Sequence, residues 1–370
     1  MPYSRDSQSQ FQFLSEVLLS GPSQVSAENG NDVSKEVIET VRTLTPEDIQ
    51  QLKELAATNH VIIRSFEALD PILRAEGKDD CAEFAASALR EERRRIDHAL
   101  NYLQRICGAL EENGCSVTVI KSLDHWPDLG SDLDLYSDAD AAKIVQVMAS
   151  NFHAKVAERS WGDRLANKWN FVIPGLPEMV EIHVGRLGQT GEQTAFTESL
   201  LSRTQTLQIG HRNFRVLSPE DRVIISTMQR MYRHFYIRLC DVIDNARLLE
   251  AKQVNFDELH NIGSASGLWE GIATYLVIIS QYVESYRGYG VPLPSLVTRS
   301  AKFGVAPVRF RRDFLRVPIL PHSVHLYAGE LRTLILKGQL RNSLRLSLLP
   351  GLATAAALEM KITGSDKGIW

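Results

Sequence analysis

A chain of 370 residues is too long for one minimal hydrophobic core, and its length predicts two or three packed units. Hydrophobic residues at 44% and charged residues at 23% lie close to the averages for globular proteins, which excludes wholesale disorder and an integral membrane protein. With 41 basic and 45 acidic side chains the net charge is −4, so a binding site for a polyanion would have to be local.

Cysteine usage and the N-terminal residues both favour a cytoplasmic protein. Four cysteines form no CxxC pair and have no histidine at zinc spacing: Cys81, Cys107, Cys115 and Cys240. The apolar patch at 11–19 has no basic stretch before it, so its pattern is not that of a signal peptide. We therefore expect a reducing compartment and no integral membrane span.

The N-terminal third of the chain divides into a tail and a helical region. Residues 1–40 are predicted to form a disordered tail, because their Ser-, Asn- and Gly-rich part cannot bury enough apolar area. The Thr-Pro-Glu-Asp sequence at 45–48 then combines an N-cap, a proline at the first helical position and acids in the first turn. Apolar residues recur at helical spacing after it, which predicts a helical region over 45–113.

An α/β core follows, because the apolar period changes from helical to alternating after Cys115. The stretches that alternate as strands do are 117–119, 133–135, 169–173 and 180–184. A helix is predicted over 138–151, and a hairpin is predicted over 206–217. Helices and strands that alternate in this way favour one compact sheet unit, which we place at 114–217.

The remainder of the chain is predicted to be mostly helical. Residues 218–290 begin with a second cap-and-proline signal and continue with helical spacing. Prolines break 291–370 into shorter pieces, so we assign it to a C-terminal extension. The predicted fold class is α+β, with a small mixed sheet and its helices flanked by N-terminal and C-terminal helical regions.

Three acidic residues in the core have the spacing of a metal site. Asp132 and Asp134 lie two apart on a predicted strand, so both side chains leave one face about 6.5 Å apart. Two such carboxylates can share a pair of divalent ions about 3.5 to 4 Å apart. Glu181 shares a face with His183 on a later strand, which we expect beside the first. Since Asp-x-Asp also begins turns and helices, a structural role is equally open at this level.

The same part of the chain resembles a known enzyme superfamily. A strand end with a serine, followed ten residues later by Asp-x-Asp, resembles the Gly-Ser…Asp-x-Asp signature of the polymerase-β superfamily. More closely, three motifs resemble the Leu-Lys-Gly, Asp-x-Asp and Asp-x-His motifs of the bacterial "nucleotidyltransferase family protein" group. They are Ile120-Lys121-Ser122, Asp132-Leu133-Asp134 and Glu181-Ile182-His183. With similar sequences at 217–221 and 238–244, the resemblance covers roughly residues 50 to 250.

The resemblance implies a nucleotidyltransferase sheet and a metal-dependent reaction. A nucleoside monophosphate would move from an NTP such as ATP to a hydroxyl or phosphate acceptor, with release of pyrophosphate. Asp132, Asp134 and Glu181 would be the catalytic residues and would bind Mg²⁺ or Mn²⁺. The residues expected to contact the nucleotide are Lys121, Ser122, Ser131, Lys168 and His183. The acceptor stays open between a small molecule, a peptide, a protein and an RNA end.

The chain also departs from the group's pattern. Ser122 stands where the group has glycine, and its side chain leaves less room for the backbone to approach a phosphate group. Glu181 stands where the group has aspartate, and its carboxylate lies one methylene further from the backbone. Together with Lys121, which stands where the superfamily signature has glycine, these departures motivate an alternative, a catalytically weak or inactive protein of the same fold that binds a nucleotide or a partner protein. Lys121 and His183 also have structural alternatives, as a solvated lysine and as a filler of a polar gap.

Two features of the C-terminal half carry further hypotheses. Polar residues that suit an acceptor pocket interrupt one apolar helix pattern: Tyr232, Arg233, His234 and Tyr236. On the next helix, Asp244 is assigned to a structural pair with Arg238 or Arg247. The segment 299–316 holds six basic residues with three phenylalanines between them. It suits a polyanion or a membrane surface, or else it is a charged loop with its aromatic rings in the core.

Overall fold

The computed structural model describes residues 6–20, 34–352 and 354–355. It has the predicted α+β architecture, in which helices come before and after the strands of a mixed sheet along the chain. In the described part of the chain, no helix combines the length and the apolar character needed to cross a bilayer.

Five helices precede the sheet: α1 (Ser7–Leu19), α2 (Lys35–Thr43), α3 (Pro46–Thr58), α4 (Ile62–Ala75) and α5 (Asp79–Glu112). The predicted start of α3 is confirmed, because the Thr45 hydroxyl accepts from the Asp48 N–H while the Asp48 carboxylate accepts from the Thr45 N–H. This reciprocal cap satisfies two N–H groups that a helix end otherwise leaves without partners.

The prediction of a disordered tail is wrong for residues 7–19. These residues form α1, which packs against α3, α4 and α12 (Trp269–Arg287) and buries Phe11 and Leu14 completely or nearly so. The Ser15 hydroxyl lies 2.8 Å from that of Tyr282. The apolar side of α1 therefore packs on helices that are distant in sequence. This packing orders α1 although the residues that follow it have a polar composition. The prediction is also wrong for residues 35–40, which belong to α2, whereas residues 1–5 and 21–33 lie outside the described residues.

A seven-stranded mixed sheet forms the centre, in the order β3-β4-β5-β2-β1-β7-β6. Its strands are β1 (Val117–Val119), β2 (Asp132–Ser137), β3 (Lys155–Val156), β4 (Lys168–Val172), β5 (Met179–Val184), β6 (Thr204–Ile209) and β7 (Arg212–Leu217). β2 pairs with β5 in parallel, as β1 does with β7, and the other neighbours are antiparallel. The predicted hairpin is confirmed as β6 and β7.

Short helices connect these strands and leave one face of β2 and β5 for polar groups. They are α6 (Ala141–Phe152), α7 (Trp161–Ala166), α8 (Thr194–Thr197) and 3₁₀ turns at Ser122–His125 and Leu200–Arg203. Leu133, Leu135, Val180 and Ile182 are fully buried on the other face of the two strands. Because side chains alternate along a strand, burial of this apolar set directs the acids between them to the opposite face.

The C-terminal part is helical with one small added sheet. Its elements are α9 (Pro219–Thr227), a π-helical turn (Met228–His234), β8 (Tyr236–Ile237), α10 (Leu239–Glu250), α11 (Phe256–Ser266), α12, α13 (Ser295–Ser300), β9 (Arg309–Arg311), β10 (Phe314–Arg316), α14 (Val324–Leu336) and α15 (Leu340–Ser347). The second sheet has the order β8-β10-β9. The division of the chain into the domains predicted from sequence stays a prediction.

The basic segment 299–316 supplies α13, β9 and β10. Phe303 and Phe310 pack against the core, and the Phe314 ring stacks on Tyr236 with centroids 4.2 Å apart. This placement of the aromatic rings favours the structural interpretation of the segment, since its basic groups stand around a packed hairpin.

Candidate functional site

The two strands that carry the predicted acids lie side by side. β2 and β5 are parallel neighbours, with Asp134 opposite Glu181 and Tyr136 opposite His183 in register. The expectation that these strands pair is therefore confirmed. Since residues that are opposite each other in adjacent strands point to the same face, Asp134 and Glu181 meet directly.

Lys121 lies between these two carboxylates. Its Nζ is 2.5 Å from Asp134 Oδ1 and 3.4 Å from Glu181 Oε1. The residue follows β1 with φ 62° and ψ −56°, and the Ser122 N–H donates to the Ile120 carbonyl at 2.6 Å. These values define the rare form of γ-turn, which is strained for a side chain with a Cβ. The turn directs the lysine back across the end of β2.

A second lysine and a histidine hold Glu181 from the other side. Lys168 on β4 places Nζ 2.9 Å from Glu181 Oε2 and 2.8 Å from Asp163 Oδ1. His183 Nε2 lies 2.7 Å from Glu181 Oε1. Lys121, Lys168 and His183 thus give the Glu181 carboxylate three hydrogen-bonding or ionic contacts, which hold it in place.

These contacts separate the protonation states of the two facing acids. Burial raises the pKa of Glu181, but Lys121, His183 and Lys168 outweigh burial and bring this pKa well below its usual value. Burial, together with the charge of Glu181, raises the pKa of Asp134 to about 7 against the attraction of Lys121. Burial lowers the pKa of His183 to about 4, so its ring is neutral at pH 7. The site therefore has one firmly ionised acid and one that gains or loses a proton near neutral pH.

The serines and Asp132 have different surroundings. Asp132 is an exposed residue at the start of β2, and the Ser131 hydroxyl donates to its carboxylate at 3.3 Å. The carboxyl group itself is partly buried, and this burial, together with the charge of Glu181, raises the pKa of Asp132. Ser122 is buried, and its hydroxyl donates to the Asp132 carbonyl at 3.1 Å and accepts from the Asp134 N–H at 2.7 Å. Its hydroxyl and its N–H are both bonded within the protein, so Ser122 fixes the strand-end turn to β2.

The donor atoms at this site suit a divalent cation. Ligand atoms of Asp134, Glu181 and His183 all lie within 4.8 Å of one another. Among the described residues this group does not include Asp132, which stands two residues before Asp134 on β2. The Lys121 ammonium occupies the position of a cation between the two carboxylates. Oxygen-rich clusters of this kind fit Mg²⁺ or Mn²⁺, provided that the ammonium moves aside.

A comparison with protein families identifies the chain. The family described as "Uncharacterised nucleotidyltransferase" matches residues 45–283, which is more than half of the sequence and includes β1 to β7. The chain belongs to this nucleotidyltransferase family. Comparisons with curated proteins and with solved structures found no match. Family membership supports transfer of a nucleoside monophosphate as the general reaction.

A buried ionic network lies around Asp244, and sequence reasoning did not identify it. The predicted pairing of Asp244 with Arg238 or Arg247 is wrong, because Asp244 contacts Arg64 Nη2 at 2.7 Å and His125 Nδ1 at 2.6 Å. Arg64 on α4 also pairs with the buried Asp128 at 3.2 Å. The network thereby joins α4, the Ser122–His125 turn and α10. A buried arginine on an otherwise apolar helix face is the sequence signal that could have indicated it.

A cavity opens beside the carboxylates of this nucleotidyltransferase. It encloses about 490 Å³ of space, open solvent included, and its lining includes Lys121, His183, Gln189, Tyr232 and Arg233. Two of the four polar residues for which an acceptor pocket is predicted, Tyr232 and Arg233, thus line this cavity, and the pocket's role stays a prediction. His234 and Tyr236 instead contact each other, with ring centroids 5.4 Å apart, beside Phe314. The π-helical turn redirects the backbone at this point.

Proposed function

We propose that the protein transfers a nucleoside monophosphate from an NTP to a hydroxyl or phosphate acceptor and releases pyrophosphate. The observation that carries this proposal is the convergence of Asp134, Glu181 and the Lys121 ammonium on one face of the paired strands β2 and β5. Family membership supports the reaction class, and the geometry supports this face of the sheet as its place.

The acids take their proposed roles from their donor chemistry. Mg²⁺ or Mn²⁺, bound by Asp134 and Glu181 with Asp132 beside them, would neutralise phosphate charge and favour the deprotonated form of an acceptor hydroxyl. Lys168 keeps Glu181 ionised, and the His183 N–H orients its carboxylate. Asp134 must lose the proton that it holds at lower pH before it acts as an anionic ligand.

Lys121 is proposed to change partners when a nucleotide binds. Without nucleotide, its ammonium neutralises Asp134 and Glu181. When a triphosphate binds with its metal ion, the metal ion pairs with these carboxylates and the phosphate oxygens pair with the lysine. Each charged group therefore keeps a partner of opposite sign. Arg233 lines the same cavity and is the second cation available to phosphates. Ser131 is exposed at the strand start, where its hydroxyl can meet the nucleotide.

One observation favours a second candidate function. The ammonium of Lys121 fills the carboxylate cluster, and the Ser122 hydroxyl is bonded to the backbone of β2. A protein that had lost catalysis could retain such internal pairing and act as a nucleotide-binding or protein-interaction module. Binding of NTP without release of pyrophosphate, for every acceptor supplied, is the result that favours this alternative.

Turnover of nucleotide tests the proposed enzyme. The full chain would be incubated with Mg²⁺, each of the four NTPs and a panel of hydroxyl and phosphate compounds, and release of pyrophosphate would be measured. We expect Asp132→Asn and Asp134→Asn to abolish release. Asp138→Asn is the matched control, because Asp138 is an exposed aspartate just beyond the end of β2. Release that continues unchanged in Asp134→Asn contradicts the assigned site.

A further inference from the structure

The cavity beside the carboxylates contains two acidic side chains that the proposed transfer reaction does not use. Glu192 and Glu330 are exposed by 4% and 2%, and both line this cavity. Glu192 accepts from the N–H groups of Gln189 and Thr190 at 3.1 and 2.8 Å, and Glu330 accepts from the Gln193 amide at 2.5 Å. In the described part of the chain, neither carboxyl has an ion pair, although buried carboxyls normally require one.

Because neither carboxyl has an ion pair among the described residues, burial dominates the pKa of both. Burial raises the pKa of Glu192, and burial together with the charge of Glu192 raises the pKa of Glu330 well above its usual value. A positively charged group placed between them would allow a carboxyl to ionise and would replace repulsion with attraction. Arg345 acts on Glu192 without forming an ion pair with it, so among the described residues no cation contacts either carboxyl.

Besides the Tyr232 hydroxyl, two acceptor atoms in the same lining have no hydrogen-bond partner among the described residues. They belong to Gln189 and His183, which are 8% and 4% exposed, and they are Gln189 Oε1 and His183 Nδ1. Both are acceptors. The Gln189 amide nitrogen donates to the Tyr232 carbonyl, which fixes the amide orientation, and His183 uses its Nε2–H for the ionised Glu181. A ligand that satisfies these atoms must bring N–H or O–H donors.

We propose that this cavity binds the acceptor of the transfer reaction, and that the acceptor is a small hydroxyl compound that carries an ammonium group, such as an amino sugar. The ammonium would lie between Glu192 and Glu330, while hydroxyl groups donate to Gln189 and His183. The assignment as acceptor rests on the proposed function, whereas the assignment of ligand chemistry rests on the lining alone.

Part of this lining lies outside the residues that the family match covers. The match ends at residue 283, whereas Glu330 belongs to α14, which packs against α11 and α12. The second carboxyl is thus supplied by the C-terminal extension. Selectivity for a cationic acceptor is consequently a property of the full chain rather than of the matched region.

Binding of matched sugars tests the proposal without nucleotide or metal. Glucosamine and galactosamine would be titrated into the full chain beside glucose and galactose, with ligand-observed NMR as the readout. A charge-assisted contact predicts that the amino sugars bind about tenfold more tightly than the neutral sugars. Glu330→Gln removes one carboxyl at constant shape and should abolish this preference. Glu284→Gln, on the exposed side of α12, is the control and should retain it.

The outcomes separate this proposal from the proposed function. Failure of all four sugars to bind, equal binding of amino and neutral sugars, or a preference that persists in Glu330→Gln overturns the ligand assignment. Glu192→Gln provides a second variant with the same expected loss, and thermal melting of each variant reports folding. Because the titration contains no NTP, it gives its answer even if turnover is absent. Conversely, turnover with neutral acceptors alone rejects the ligand class and leaves nucleotidyl transfer intact.

Discussion

Lys121 stores backbone strain at the centre of the proposed site. Its γ-turn conformation costs about 1 to 3 kcal/mol and persists only where surrounding contacts over-determine it. The contacts that do so are the ion pairs with Asp134 and Glu181 and the hydroxyl bonds of Ser122. A glycine would adopt the same turn without strain, so the side chain at this position has a role that compensates for the cost.

We predict that replacement of Lys121 changes the affinities for Mg²⁺ and for NTP in opposite directions. Lys121→Met keeps the length of the side chain but removes the cation that competes with a metal ion. Without nucleotide, Mg²⁺ should therefore bind more tightly than to the wild type, whereas NTP affinity should fall about tenfold because a charge-assisted phosphate contact is lost. Calorimetric titrations measure both affinities. Lys155→Met, at an exposed position on β3, is the control. A fall in both affinities would assign Lys121 a purely structural role.

We predict that His60 makes the stability of the folded protein depend on pH. Burial, with a smaller effect of the nearby cation Arg238, holds the pKa of His60 well below its usual value. The unfolded chain therefore binds a proton below pH about 6.5 that the folded chain does not bind, so stability is present above that pH and is lost as the pH falls. His60→Asn tolerates the left-handed backbone at φ 55° and removes this linkage.

Thermal melting between pH 7.5 and 5 checks this prediction. The wild type should lose more melting temperature over that interval than His60→Asn does. His153→Asn is a matched control, because His153 is an exposed histidine that also has a left-handed backbone, at φ 51°. A wild-type curve parallel to that of His60→Asn would show that the ring is protonated in the folded protein.

At the scale of elements, α1 is predicted to contribute strongly to stability. Leu14 has no exposed surface, and its helix packs against α4 and α12. Leu14→Ala should therefore lower the free energy of unfolding by about 2 to 5 kcal/mol through loss of apolar contact and creation of a cavity. Gln12→Ala, on the exposed side of the same helix, should change it by less than about 0.5 kcal/mol. Denaturant unfolding distinguishes the two, and equal effects would contradict the packing of α1.

The elements that sequence predicted well are those whose pattern is local. Alternation in β2 and β5 determines which residues share a face, and so it predicts that Asp134 and Glu181 can meet. The partners of Asp244 are not local in sequence. Arg64 and His125 contact Asp244 because α4 and the Ser122–His125 turn pack against α10 in the folded chain. Long-range pairs of this kind have no signature in spacing. For α1, likewise, the surface that orders it lies on distant helices.

On the scale of the whole molecule, three parts of the chain pack around the proposed site. The N-terminal helices contribute Arg64 to the network around Asp244, the central sheet contributes the carboxylates, and the C-terminal part contributes Arg233 and Glu330 to the cavity. The arrangement of the carboxylates and of the cavity lining therefore depends on the packing of these parts. This arrangement explains why polar residues far apart in sequence converge beside Asp134.

Metal-dependent binding of NTP tests the central claim most directly, because it requires no knowledge of the acceptor. Each NTP would be titrated into wild type, Asp134→Asn and Asp138→Asn, with Mg²⁺ and with EDTA, and the dissociation constant measured by calorimetry. The account predicts binding by wild type and Asp138→Asn that depends on Mg²⁺, and at least about a tenfold loss of affinity in Asp134→Asn, since metal ligation is removed. Binding by Asp134→Asn that equals that of wild type in Mg²⁺ would contradict it.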